Sequence, residues 1–120
     1  MPKRTDELRK PLSLPVLHIL LALADGAKHG YAIKQDVAER TRGSVRLGPG
    51  TLYEAVQRLL DSGLIREGEA DEEPPNGQVA QRRYYVLTAR GWEVLREELR
   101  QLDAVLDRAR ANPRLKKGLA

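Results

Sequence analysis

The stretch Gly50-Thr51-Leu52-Tyr53-Glu54-Ala55-Val56-Gln57-Arg58-Leu59-Leu60-Asp61-Ser62-Gly63 decides the fold. Leu52, Ala55, Val56, Leu59 and Leu60 recur with the period of a helix, so all five share one side of a helix over 51–62. Gly48, Pro49 and Gly50 set its start, and Gly63 supplies a left-handed cap at its end. With the apolar stripe turned to a core, Thr51, Tyr53, Glu54, Gln57, Arg58 and Asp61 remain for solvent or a ligand.

On the carboxyl side, 64–67 and 82–87 read as two strands, the second rich in β-formers at Tyr84, Tyr85 and Val86. Between them 68–81 is acidic and holds Pro74, Pro75, Asn76 and Gly77, the composition of a loop joining an antiparallel pair. On the amino side, 12–24 is apolar on nearly every side, and Ser13 as N-cap with Pro15 in the first turn predicts a buried helix. Asp25-Gly26 stops it. A second helix is expected from Gly30 to about Arg42, with Tyr31, Ile33, Val37 and Ala38 as a partial stripe before Gly43 breaks the chain.

The last long element runs from about Thr88 to Ala111. Trp92, Leu95, Leu99, Leu102, Leu106 and Ala109 alternate at spacings of three and four, an a/d seam. A helix of that length spans ~34 Å. Three short helices and a hairpin do not cover it, so distal Leu99, Leu102 and Leu106 call for a partner helix; the alternative is a helix folded back along 12–24. Trp92 is either core against the strands or one wall of an effector cavity.

Composition narrows the function. The 120 residues contain no cysteine, which excludes a disulfide framework, a thiolate metal site and a thiol nucleophile. The longest apolar run, Ile19–Ala24, is far shorter than the roughly 20 residues of a membrane span, and 1–10 is charged rather than a leader. A cytoplasmic protein without membrane contact is expected. Gly43 and Gly48 match the glycine spacing of a phosphate loop, but Pro49 stands where its lysine belongs. His18 sits in an apolar helix as a core residue, and His29 reads as a turn or cap. Neither has carboxylates at metal-ligand spacing, and Ser13, Ser44 and Ser62 lack triad neighbours, so no cofactor, metal or catalytic residue is expected.

The net charge of +4 conceals a pattern. Residues 28–58 carry six basic and three acidic side chains, 66–77 are strongly acidic, and 78–90 are basic again through Arg82, Arg83 and Arg90. Residues 91–107 are acidic, and 108–120 hold Arg108, Arg110, Arg114, Lys116 and Lys117. Helix, helix, tight connection, amphipathic helix, hairpin is the order of a winged helix-turn-helix. The expected fold is mainly α with a small antiparallel β-hairpin, followed by a long C-terminal dimerisation helix. Its third helix enters the major groove of DNA, where Thr51 and Tyr53 face phosphates while Gln57 and Arg58 have the reach and donors for base edges. Glu54 either accepts from cytosine or repels non-specific DNA.

His29-Gly30-Tyr31, Gly50-Thr51-Leu52-Tyr53, Arg58-Leu59, Gly63-Leu64-Ile65, Arg83-Tyr84-Tyr85-Val86-Leu87-Thr88 and Gly91 resemble the PadR family of transcriptional regulators. The resemblance covers about 12–106 and implies a winged-helix DNA-binding dimer, usually a repressor, of the short branch with one C-terminal helix. It implies that Thr51 and Tyr53 anchor to the DNA backbone and that Gln57 and Arg58 read bases. Tyr31 would touch phosphate, Arg82 and Arg83 would carry the wing contacts, and Arg46 and Gly50 complete the DNA-binding set. Leu95, Leu99, Leu102 and Leu106 would form the dimer interface. One departure concerns the wing, where Gly77-Gln78-Val79-Ala80-Gln81-Arg82-Arg83 lacks the family's first basic residue. The other is the leucine seam beyond Trp92, which offers little to the planar drugs that some members hold.

The expected division is a basic arm (1–11), a winged helix-turn-helix (12–87), a dimerisation helix (88–111) and a basic flexible tail (112–120). The expected partners are double-stranded DNA with an inverted-repeat operator and a second copy of the chain. A small-molecule effector is a further candidate. The alternative function is the same fold used as a protein-interaction or ligand-sequestering module.

Overall fold

The computed structural model describes residues 11–69 and 83–119. Its elements in chain order are α1 (Leu14–Ala24), β1 (Lys28–His29), α2 (Gly30–Arg40), α3 (Pro49–Asp61), β2 (Ile65–Gly68), β3 (Tyr84–Leu87), α4 (Ala89–Arg110) and α5 (Pro113–Lys116).

Ser13 accepts a hydrogen bond from the Val16 N–H at 3.4 Å and Pro15 lies in the first turn, so α1 starts where its residues predict. Leu17, Ile19, Leu20, Ala22 and Leu23 are buried, and α1 lies against α2, β3 and α4. The helix is not buried all round: Leu14 stands exposed, and Pro15, Val16, Leu21 and Ala24 are partly buried. The fully buried side chains Ile19, Leu20, Ile33, Val37, Leu47 and Ile65 tie α1, α2, the connection before α3, and β2 into one core. Each contributes about 1.5–3 kcal/mol by leaving water.

His29 caps α2, its Nδ1 accepting from the Ala32 N–H at 3.2 Å. At the other end Arg40 pairs with Asp36 at 2.9 Å and with Asp25, fastening α2 to the end of α1. The Arg40 guanidinium holds the Asp25 carboxyl below its ordinary range. The helix stops at Arg40 rather than near Arg42, because Arg42 (φ 53°) and Gly43 (φ 81°) both turn left-handed. Their N–H groups reach back to the carbonyls of Glu39 and Ala38 and close the last turn.

The hairpin of the sequence reading is one side of a three-stranded antiparallel sheet with order β1-β3-β2. Ile65 pairs with Leu87 and Glu67 with Tyr85, while Lys28 pairs with Tyr85 from the other side and His29 with Tyr84. The His29 and Tyr84 rings meet edge to face at 5.4 Å. Two residues are too few to show alternation, so β1 leaves no periodic trace in the sequence.

Thr88 caps α4 through Gly91 N–H at 3.0 Å. Only the first half of α4 joins the core, with Gly91, Val94, Leu95 and Glu98 buried; Leu99, Leu102 and Val105 are exposed. The buried Glu98 carboxylate accepts the Leu12 N–H at 3.3 Å, which brings the start of α1 to the middle of α4. The segment expected as a flexible tail carries a further helical turn, α5, capped by Asn112 at 2.9 Å.

Candidate nucleic-acid interface

Helix α3 meets the start of α2 at Gly30, where a Cβ would stand 3.7 Å from Leu52 Cδ2 and 4.0 Å from Tyr53 Cε1. Leu52 is buried and Tyr53 is 64% exposed, so adjacent residues anchor the helix and face solvent. Tyr31, 63% exposed, follows Gly30 at the start of α2, and its hydroxyl accepts from Gln35 Nε2 at 3.2 Å. The two phenols belong to helix starts that touch each other. Tyr85, next to this corner on β3, is buried, and that burial pushes its hydroxyl above the ordinary value.

The polar face of α3 divides in two. Gln57 lies one turn beyond Tyr53, and its amide donates to Asp61 at 3.0 Å. Thr51, Glu54 and Arg58 instead line a cleft of about 110 Å³ whose other wall is Ser13, Pro15 and Val16 at the start of α1. Neither the Arg58 guanidinium nor the Tyr53 hydroxyl has a hydrogen-bond or ion-pair partner among the described residues. Gly48 caps α3 with no side-chain hydrogen bond, and open space surrounds Gly48 and Gly50. Ser13, His29, Thr88 and Asn112 each cap their own helices with a side chain, so the first N–H groups of α3 stand out as accessible.

Tyr31, Gly50, Thr51, Tyr53, Gln57 and Arg58 are all exposed, Thr51 and Arg58 on the side of α3 that faces the start of α1 and Tyr53 and Gln57 on the other. Arg46 folds back within the connection before α3, where its Nε donates to Gly43 O at 3.3 Å. Arg83 enters β3 exposed and meets Glu67 of β2 at 3.5 Å. Arg82 lies outside the described residues.

The seam residues separate. Leu95, expected at a dimer interface, is 2% exposed and packs in the core of its own chain. A heptad spacing records which residues share a helix face, not which neighbour covers each one. Leu99 and Leu102 are exposed and Leu106 is half-buried. Trp92 lies under the Arg96 guanidinium, 5.7 Å from its ring centre. Trp92 is not among the residues that line the cleft between α1 and α3. The His18 Nδ1 is buried without a hydrogen-bond partner among the described residues.

Two features escaped the sequence reading. Val105 and Leu14 add exposed apolar surface, and neither falls on the a/d spacing that singled out the leucines. Thr88 joins α4 to the end of α3, its Oγ1 donating to Gly63 O at 2.6 Å. The quoted Leu87-Thr88 and Gly63-Leu64 motifs contained both ends of that bond, but nothing in the spacing showed that they meet.

A third helix that exposes its polar face beside a small sheet, with a long helix leaving the central strand, defines a winged-helix protein. Residues 19–97 match the model of the transcriptional regulator PadR-like family, and the chain belongs to that family. It is 41% identical over 80 residues to an uncharacterised 37.1 kDa protein in a Streptomyces fradiae transposon, a match of 67% of this chain but only 20% of that protein's length. It is 34% identical over 87 residues to a transcriptional regulator of Mycobacterium tuberculosis, covering 72% of this chain and 74% of that one. The crystal structure of a PadR family transcription regulator from hypervirulent Clostridium difficile superposes with a TM-score of 0.58 at 28% identity, over 80% of this chain and 97% of that one. No helix among the described residues is long and apolar enough to cross a membrane.

Proposed function

We propose that this transcriptional regulator is a homodimeric repressor that binds an inverted-repeat operator in double-stranded DNA. The observation that carries the reading is the exposed face of α3. Among the described residues Tyr53 and Arg58 hold donors without a partner, Tyr53 near a helix start with accessible backbone N–H groups and Arg58 in the last turn of the helix. A phosphate at that start accepts the N–H groups and is favoured by the helix dipole. Tyr53 and Thr51 then fix the register on the backbone, and Tyr31 adds a phosphate contact from α2. Gln57 and Arg58 reach base edges in the major groove, Gln toward adenine and Arg toward guanine. Arg46, Arg82 and Arg83 add charge from the flanking connection and the wing.

Residues 12–87 act as the DNA-binding unit and 88–111 as the dimerisation helix. The exposed Leu99, Leu102 and Val105 support this division, because a second copy removes that stripe from water. Two-fold symmetry then sets two α3 helices about 34 Å apart, or a multiple of it, on one side of the duplex. An effector bound near Trp92 would release DNA by changing the angle between the halves, with the two affinities reciprocally linked. DNA as the partner places the working protein in the cytoplasm.

The test is fluorescence-anisotropy binding to a palindromic promoter duplex and to a scrambled duplex. Tyr53→Ala weakens both alike. Arg58→Ala costs ~1–3 kcal/mol on the promoter and relaxes the preference at one base position. Wild-type binding unchanged in both variants sinks the assignment of α3, and binding with no salt dependence favours a protein-interaction module instead.

A further inference from the structure

The first turn of α4 is bonded to the residues that terminate α3. Thr88 Oγ1 donates to Gly63 O at 2.6 Å, and the Thr88 N–H donates to Leu64 O at 3.1 Å. The same Oγ1 accepts the Gly91 N–H at 3.0 Å. One hydroxyl thus has two tasks: its oxygen caps α4, and its proton ties that cap to the turn closing α3. Behind it, a Cβ on Gly91 would stand 2.0 Å from Leu64 O, so the backbone of α4 lies directly on that turn. The turn is itself fixed to α3, with Gly63 N–H donating to Leu60 O at 3.1 Å and Leu64 N–H to Leu59 O at 3.0 Å. Leu59 and Leu64 are both buried. From α3 to α4 the path runs through main-chain atoms and one hydroxyl, with no long side chain to flex.

We propose that Thr88 is a positioning residue for operator recognition: its hydroxyl, bonded to Gly63 O, locks the angle between α3 and α4 and so sets the half-site spacing that the dimer accepts. This rests on the reading of the chain as a dimeric DNA-binding regulator. Helix α3 has 13 residues, about 20 Å at 1.5 Å each. A rotation of about 10° at its carboxyl end therefore moves its start by roughly 3.4 Å, the rise of one base pair. Looseness at this joint translates into tolerance for the wrong spacing.

Three variants separate the two tasks of the hydroxyl. Thr88→Ser keeps both the cap and the bond to Gly63. Thr88→Asp caps the helix through its carboxylate but has no proton to give Gly63 O. Thr88→Ala keeps neither. The probes are duplexes that the full-length wild type selects from a random pool, rebuilt with half-sites one base pair closer, unchanged and one base pair farther, plus an isolated half-site. Wild type and Thr88→Ser should lose about 10-fold in affinity for either altered spacing. Thr88→Asp and Thr88→Ala should bind the three spacings within about 3-fold of one another, with isolated half-site affinity within about 3-fold of wild type.

A purely structural hydroxyl predicts otherwise: Thr88→Asp, its cap intact, would discriminate spacing as wild type does, and that result overturns the proposal. If Thr88→Asp does not fold, Thr88→Ala against Thr88→Ser makes the same comparison, and equal spacing discrimination overturns it equally. A wild type that selects no paired half-sites overturns the dimeric DNA-binding reading itself, and the proposal with it.

Discussion

Gly91→Ala puts the packing of α4 on α3 to a quantitative test. The added methyl carbon would lie 2.0 Å from Leu64 O, 3.1 Å from Leu64 C and 3.3 Å from Leu87 Cδ2. The first contact is about 1 Å inside the closest approach that real side chains show, and the atom it meets is backbone. Leu64 O cannot swing aside freely, because it accepts the Thr88 N–H and its residue is buried. The two helices must therefore part. Overpacking of this kind costs ~1–3 kcal/mol, and loosening the two Thr88 bonds to Gly63 and Leu64 removes about 0.5–1.5 kcal/mol each. Alanine's helix preference over glycine returns roughly 1 kcal/mol. The expected net loss is about 1–5 kcal/mol, against a total of about 5–15 kcal/mol for an ordinary domain. Urea unfolding followed by circular dichroism, at one fixed protein concentration, should show a midpoint lower by about 1 M or more. Gly50→Ala is the control, since open space surrounds that helical position and no loss is expected. A Gly91→Ala protein that unfolds at the wild-type midpoint would refute the seating of α4 on Leu64.

Other perturbations address separate parts of the molecule. Leu99→Glu combined with Leu106→Glu should give a monomer in sedimentation velocity, and a variant that stays dimeric places the interface elsewhere. Leu95→Ala should instead cost ~2–5 kcal/mol of stability by opening the chain's own core, and a marginal effect would return Leu95 to the seam. The acid limb of stability should depend on Asp25. Its carboxyl is held below the ordinary value of 3.8 by the hydrogen bond and charge of Arg40, so the stabilisation is complete above that value. It is lost as the pH falls through the lowered one. Unfolding midpoints from pH 6 to pH 2 should fall less steeply in Asp25→Asn, and equal slopes would show that the pair contributes nothing.

The sequence was most informative where one periodicity ran unbroken. The stripe from Leu52 to Leu60 placed α3, Gly63 ended it with a positive φ of 75°, and Ser13 with Pro15 opened α1. These signals are local: a helix side, a cap and a turn each need only neighbouring residues. What escaped depends on contacts between distant ones. The two residues of β1 acquire their strand conformation from Tyr84 and Tyr85, more than fifty positions away. Leu95 and Leu99 are alike in the heptad, yet only the first is buried where the helix packs into its own chain's core. The polar face of α3 read as one surface, whereas the start of α1 claims the Thr51, Glu54 and Arg58 side and leaves Tyr53 and Gln57 on the other. Thr88 stands at the start of the last helix in the sequence, and its bond to Gly63, twenty-five residues earlier, leaves no local trace.

The central claim, that the exposed face of α3 binds DNA as part of a dimer, is tested most directly by salt. The probe is the intergenic duplex beside the gene that encodes this chain, and the measurement is affinity against potassium chloride concentration. A dimer neutralising about 6–10 phosphates through its helix starts and basic side chains gives a slope of roughly −5 to −9 in log affinity against log salt. Arg58→Ala should lower the affinity at every concentration. Binding that is absent, or that does not change between low and high salt, would contradict the account.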